Sequence, residues 1–402
     1  MTVNLLSSEQ CCGCAACLDC CPVHAISMIE DESWNRRASV DESICIKCGL
    51  CTKVCPHFNK EESTSIKKLS YVSFCNDKEF SKKSSSGGIF AAIAREIICH
   101  GGIVYGAAMI VENNGILCKH IRVDSLENLP LLQGSKYVQS RTDGIFMKVK
   151  KDLSEGKTVL FSGTSCQIAS LKRFVGERGN LFTIDLVCHG VPKNKLFHDY
   201  ITFLGKKYKC ETTNISFRGK GRMYLGKEMR FILSLQFRNK KSEAKSIYIQ
   251  SMNSAYYNLY LKKAGYRDSC YHCAFATLHK PGDLTLGDFI PREMEKKIYG
   301  FSSAEHYSSI IVHNEKGEAM LEKVDRLIRK VQIPMDEMIK HHPNLSVPSV
   351  VSPQGELYLK HYVEGGYDRL QDLVERQFRR HQIKNILRYC FSAVKKSFIH
   401  KR

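Results

Sequence analysis

The sequence of 402 residues contains no run of about eighteen apolar residues, the length a membrane-spanning helix needs. Its opening, MTVNLLSSEQCCGC, has no basic stretch leading into an apolar core, so no export signal is expected and a cytoplasmic protein is predicted. No Gly-x-Gly-x-x-Gly occurs, which argues against a nicotinamide-type dinucleotide fold. Acidic residues are in deficit, 41 against 60 Lys and Arg, for a net charge of +19. The basic residues are widely spread and no nucleic-acid module accompanies them, so no nucleic-acid partner is expected. Anionic cofactors, an acidic redox partner or a membrane surface suit the charge equally well.

Cysteine, by contrast, is abundant. There are 19, and ten of them fall within residues 11–55. Without an export signal such clustering points to metal or redox chemistry rather than disulfides. Composition divides the chain at a polar linker, Lys60–Lys68 (KEESTSIKK), into residues 1–60, 61–352 and 353–402. The middle region reads as mixed α/β. Helical patterns cover Gly88–His100 and Ser165–Val175, and apolar strand patterns cover Ile103–Ile110, Val159–Ser162 and Phe182–Val187. The last region reads as a basic helix with an apolar stripe at Ile383, Leu387, Cys390, Phe391, Val394 and Phe398. That pattern suits a helix packed on its own domain, or one meeting a membrane surface or a partner.

Two copies of one motif stand out: Cys11-x2-Cys14-x2-Cys17-x3-Cys21-Pro22 and Cys45-x2-Cys48-x2-Cys51-x3-Cys55-Pro56. Three closely spaced cysteines on a tight loop reach three irons of a cubane, and the fourth ligand comes from the other repeat. One 4Fe-4S cluster would then use Cys11, Cys14, Cys17 and Cys55, and the other Cys45, Cys48, Cys51 and Cys21. The alternative is zinc, but two proline-closed four-cysteine runs are far more specific than paired CxxC knuckles. Each Cys-Pro is expected to open a short helix, and Gly13 and Gly49 to let backbone N–H groups approach cluster sulfurs. Cys12 and Cys20 fall outside the spacing and read as bystanders.

In the middle region Cys166 and Cys188 each follow a strand-like run, where open α/β sheets place their ligands. With the pair Cys270-x2-Cys273 they could complete a third cluster, although as scattered residues they also suit buried small hydrophobes. An anion such as a cofactor phosphate could sit at Ser84-Ser85-Ser86-Gly87-Gly88, at Gly134-Ser135-Lys136-Tyr137 or at Gly163-Thr164-Ser165. Each of these also suits an ordinary cap. His189 and His272 adjoin these cysteines and read as structural, so no acid–base residue is assigned.

The segments SSSGGIFAAIA, GSKYVQS, FSGTSCQIASLKR, DLVCHGVP, SFRGK, CYHCAFATLHKPGDLTLGDF and PNLSVPS follow in this order. Together with the cysteine repeats they resemble the coenzyme F420 hydrogenase/dehydrogenase beta-subunit family, in its branch with an N-terminal ferredoxin module. The resemblance spans about residues 8–350. It implies an α+β, ferredoxin-like two-cluster domain, a mixed α/β flavin-binding domain and a basic C-terminal helix. It further implies FAD, a third 4Fe-4S cluster on Cys166, Cys188, Cys270 and Cys273, and flavin contacts from Ser86, Gly87, Gly88, Ser135, Lys136 and Tyr137, with Gly163 and Thr164 beside them. Lys136 would meet a phosphate or the polar edge of the ring. The implied activity is electron exchange between clusters and FAD that reduces or oxidises an organic or deazaflavin substrate. Ferredoxin or another electron carrier would be the protein partner. Relatives of this layout also stand beside cell-surface polysaccharide enzymes, a setting in which the basic tail would touch a membrane surface. The second implied reading is an electron-transfer subunit of a larger complex with no substrate site of its own. Two departures, Thr164-Ser165 before Cys166 where proline is commoner and Gly219 after Arg218 where an acid is, bear on the deazaflavin as substrate.

Overall fold

The structure, a computed structural model, describes residues 6–32, 34–58, 69–112, 115–219, 222–224, 227–229, 232–238, 244–302 and 305–399. The side chains of 222–224, 227–229, 232, 244–245 and 385–399 are outside that description. Strands run in the order β1 Ile26–Glu30, β2 Arg36–Val40, β3 Leu69–Cys75, β4 Ile103–Glu112, β5 Gly115–Val123, β6 Val159–Ser162, β7 Leu181–Leu186 and β8 Glu211–Gly219. They continue with β9 Arg222–Tyr224, β10 Lys227–Met229, β11 Ile232–Arg238, β12 Ala244–Gln250, β13 Leu284–Phe289, β14 Tyr307–Val312 and β15 Ile328–Gln332.

The cysteine repeats form a small unit around the antiparallel pair β1–β2, with helices Ala16–Cys20 and Leu50–Val54. The two loops share an unusual backbone. Equivalent positions 13 and 47 have φ of +67° and +55°, and positions 15 and 49 have φ of +58° and +75°. Ala15 and Lys47 hold this left-handed conformation without being glycine, a strain that persists where a site requires it. The expected helix after each Cys-Pro is not seen. Each helix instead ends at Cys21 or Cys55, and the following proline stops it.

The large sheet has the order β15-β3-β14-β13-β7-β6-β4-β5. Its centre, β4-β6-β7-β13, is parallel; β5 pairs antiparallel with β4 on one side, and β14, β3 and β15 pair antiparallel in succession on the other. The apolar runs that suggested strands at 103–110, 159–162 and 182–187 are these central strands. Largely buried on both faces, they read as near-continuous apolar runs. Helices Ile89–Cys99 and Ser165–Val175 cover opposite faces, each with one apolar side. The KPGD stretch stitches β13 to β7. A Cβ on Gly282 would come 2.9 Å from Asp185 N, and the buried Asp283 carboxylate accepts from Thr183 N and Oγ1, each at 2.7 Å.

A second core lies between the three-stranded sheet β12-β11-β8, helices Asn194–Tyr208 and Ala255–Leu261, and the C-terminal helix. That helix runs Pro353–Ile399 with a break at Gly366, and Tyr358, Tyr362, Tyr367, Leu370 and Val374 bury in this core. Of the tail stripe, Ile383 is exposed; Leu387, Cys390, Phe391, Val394 and Phe398 have side chains outside the described residues. The linker 60–68 also lies outside them. No described helix is long and apolar enough to cross a membrane.

Candidate metal centre and cofactor surface

The structure gathers the cysteines into three sets. Cys11, Cys14, Cys17 and Cys55 line one cavity, with Cys17 in electrostatic reach of the other three. Burial pushes the Cys17 thiol well above its ordinary value and that of Cys55 up to about 12. Cys21, Cys45 and Cys51 pack against the same small core. Cys48 is exposed, and Cys20 stands beside Cys51, Cys21 and Cys48. The repeats are thus alike in backbone and unlike in burial, one set inward and one outward.

Cys166, two residues inside the start of its helix, and Cys188, two residues past β7, meet Cys270 and Cys273 at the C-terminal rim of the parallel strands. Burial is the first cause that raises Cys188, Cys270 and Cys273, with Cys270 reaching about 12. Gly190 makes the turn that brings Cys188 there. Its φ is +126°, and a Cβ would lie 2.3 Å from the Tyr266 ring and 3.1 Å from Cys270 Cβ. Among the described residues no three His, Cys, Asp or Glu side chains stand close enough to hold a single metal ion. A cubane holds its four thiolates farther apart than one ion does. Converging, mostly buried thiols form a donor set that iron would deprotonate and neutralise, so the residues fit 4Fe-4S clusters.

The inward set is clamped onto the large domain. Arg267 Nη2 donates to Cys11 O at 2.8 Å, Gln139 Nε2 to Cys12 O at 3.2 Å, and Thr142 Oγ1 to Cys14 O at 2.7 Å. Asp19 accepts from Gly144 N at 2.7 Å and Phe146 N at 3.1 Å, capping helix Ile145–Ser154 across the boundary. Arg36 pairs with Asp143. Ser170 Oγ donates to Cys14 Sγ at 3.0 Å. None of these clamping residues stands out in the sequence, and Cys12 reads there as outside both sets. Cys12 lies in electrostatic reach of both Cys14 and Cys166, between the inward set and the third set. Ser170 sits four residues after Cys166 on one helix face, a spacing that could have shown it.

The three candidate anion loops meet on the same rim. Ser135 N donates to Ser85 Oγ at 2.7 Å, joining the first loop to the second. His120 bridges Ser140 Oγ and Ser162 O, and Gln167 Nε2 reaches Ser140 O at 3.1 Å, joining the second loop to the third. Ser86 Oγ meets Ser308 Oγ at 2.8 Å, and Gly87 packs so tightly that a Cβ would lie 2.5 Å from Ser73 O. Gly88, at φ +82°, opens the helix Ile89–Cys99 without a side-chain cap. An uncapped helix start beside serine loops fits a phosphate. Gly163 N is tied to Ile184 O at 3.1 Å, and Thr164 caps the helix carrying Cys166. Lys136 Nζ donates to Leu131 O and Gln133 O, and burial lowers its ammonium from the ordinary value. Tyr137 stacks on Tyr260 at 4.1 Å. His189 is bonded to Asn344 Oδ1 at 2.6 Å, and His272 faces Glu9 at 3.9 Å.

Cysteine sets of this kind on an α/β rim define an iron–sulfur electron-transfer protein. Residues 10–59 match a 4Fe-4S dicluster domain. Residues 156–334 match the model for the C terminus of the beta subunit of coenzyme F420 hydrogenase/dehydrogenase. No curated protein matches the chain. Among solved structures, a chain of the F420-reducing [NiFe] hydrogenase complex from Methanosarcina barkeri is similar at 14% identity and a TM-score of 0.43, over 74% of this chain and 93% of that one.

Proposed function

We propose that this chain is an iron–sulfur flavoprotein oxidoreductase, exchanging electrons between a protein carrier and an organic or deazaflavin-type substrate. The observation that carries the reading is the ordered run of cysteine sets, exposed, inward and third, ending on the rim where the serine–glycine loops converge. Bound clusters would supply one-electron transfer, and bound FAD the exchange between one- and two-electron chemistry. Cys45, Cys48, Cys51 and Cys21 would hold the outer cluster, Cys11, Cys14, Cys17 and Cys55 the inner, and Cys166, Cys188, Cys270 and Cys273 the third.

The residues around these groups have separable tasks. Ser86, Gly87 and Gly88 would present hydroxyl and N–H groups to a flavin phosphate, and Ser135 fixes the neighbouring loop against them. Lys136 holds that loop closed through two carbonyls and adds positive charge. Tyr260 and Tyr266 stand beside the third set, with Tyr137 stacked on Tyr260, and would keep water from it. On the outside, Ile44, Ile46 and Leu50 are exposed around Cys48 and form an apolar collar where a ferredoxin or other carrier would dock. The exposed Arg379, Arg380 and Lys384 would meet an anionic surface.

The same collar favours the second reading, a subunit that only relays electrons between partners. Anaerobic purification with iron, sulfide and flavin counted per chain, and absorbance spectra before and after dithionite, separates the two. About twelve irons and one FAD support the flavoenzyme. About eight irons with FAD would keep it without a third cluster. Iron with no flavin, even after incubation with FAD, would overturn it and leave the relay.

A further inference from the structure

Among the described residues three arginines are nearly fully buried, and two of them have aspartate partners. Arg36, at 7% exposure, pairs with Asp143, and Arg218, at 9%, pairs with Asp288. Arg267, at 1%, is the most buried of the three, and among the described residues no carboxylate pairs with it. Its neighbour Asp268 is turned away to Lys193 at 2.8 Å and Asn35 at 2.8 Å. The guanidinium makes hydrogen bonds only to neutral oxygens, Cys11 O and Gln139 Oε1, each at 2.8 Å, and Nε has no acceptor. Burying a cation this way costs several kcal/mol unless an opposite charge is near.

The place of that cation identifies the missing charge. One face reaches the inner loop, where Nη1 would stand 3.0 Å from a Cβ on Gly13. Arg267 O accepts from Cys270 N at 2.9 Å, so the same residue starts the turn carrying Cys270 and Cys273. We propose that Arg267 is a positioning residue shared by the inner cluster and the third cysteine set, its buried charge balanced only by their thiolates and sulfides. The inference rests on the three-set reading above. A cubane that gains one electron gains one negative charge, and a fixed cation stabilises that form, so Arg267 raises both potentials relative to the outer cluster.

Arg267→Met and Arg267→Lys in the full chain, loaded with iron and sulfide, test this by redox titration followed by electron paramagnetic resonance. The outer signal is the one that Cys48→Ser removes. With methionine, the inner and third potentials should move to more negative values while the outer stays in place. Lysine, which keeps the charge, should restore most of the shift. If methionine empties the inner and third sites of iron, the lysine variant decides alone. Near wild-type potentials support the proposal, and a full shift or equal iron loss would make the role one of shape and overturn it. An unmoved inner potential, or an equal movement of all three, overturns it too. A wild-type chain with only about eight irons would remove the third set; the inner shift would still report on Arg267.

Discussion

Gly190→Ala is the most demanding test of the third cysteine set. The new methyl would lie 2.3 Å and 2.8 Å from two carbons of the Tyr266 ring. That ring cannot swing aside, because its hydroxyl is bonded to Tyr260 O at 2.7 Å and Tyr271 stacks beside it at 6.0 Å. Overpacking of this kind costs about 1–3 kcal/mol. A backbone φ of +126° adds strain for alanine, of about 1–3 kcal/mol. The sum, roughly 2–6 kcal/mol, should lower Tm by about 4–24 °C in a domain of this size. The displacement falls on Cys188 and Cys270, so about four irons should be lost while the N-terminal eight or so remain. Gly156→Ala is the control. Its φ is +77° with nothing within 4 Å, so it meets strain without collision and should cost only about 1 kcal/mol. Thermal melts with iron counts on both variants suffice. A Gly190→Ala chain with wild-type Tm and full iron would refute the packing of this turn.

Other outcomes follow from buried titratable groups and from the module boundary. Burial lowers His120 to about 4 and His342 to about 3, so the folded state keeps both neutral. Their contribution is present above the unfolded value near 6.5 and is lost as pH falls toward the folded values. Asp185, raised to about 6 by burial, works the other way below that pH. From pH 7 to 5 the balance is a loss of about 2–3 kcal/mol, to be read from urea midpoints; a flat profile would contradict it. Asp19→Ala removes the cap across the boundary and should cost about 0.5–2 kcal/mol. Limited proteolysis between the modules should quicken accordingly, and an unchanged rate would show that the cap does not hold them together. Ser170→Ala removes the hydrogen bond to Cys14 Sγ and should make the inner potential more negative, by redox titration, with iron content unchanged. A potential that does not move would place that hydroxyl outside the cluster's field.

Much of the site was legible because its signals are local. Cys166 and Cys188 lie four and two residues past apolar runs that become β6 and β7. The two cysteine repeats have a spacing that belongs to one loop geometry, seen in their matching φ values. The order of the sheet was not legible. β3 lies between β14 and β15, which are more than two hundred residues away in the chain, and no local pattern encodes such a register. Cys12 and Arg267 were missed for a related reason. Beside Asp268, Arg267 reads as half of a solvated pair, and only the fold turns the acid outward and the base inward.

The symmetry of the repeats hides the feature that matters most for direction. By sequence either four-cysteine set could face the large domain, since both have the same spacing. Docking breaks the tie through residues that are not part of the repeat. Asp19 caps a helix, Ser170 reaches Cys14, and Arg267 with Gln139 takes the carbonyls of Cys11 and Cys12. The second repeat offers Cys48 with exposed Ile44, Ile46 and Leu50 at the equivalent places. One set is therefore wrapped in protein dipoles and a buried cation, and the other is half-buried and opens to solvent at Cys48. Those environments separate the potentials of chemically identical sites. The order of the three sets follows from that docking, because an undocked first repeat would leave Cys12 far from Cys166 and the third set cut off from the outside.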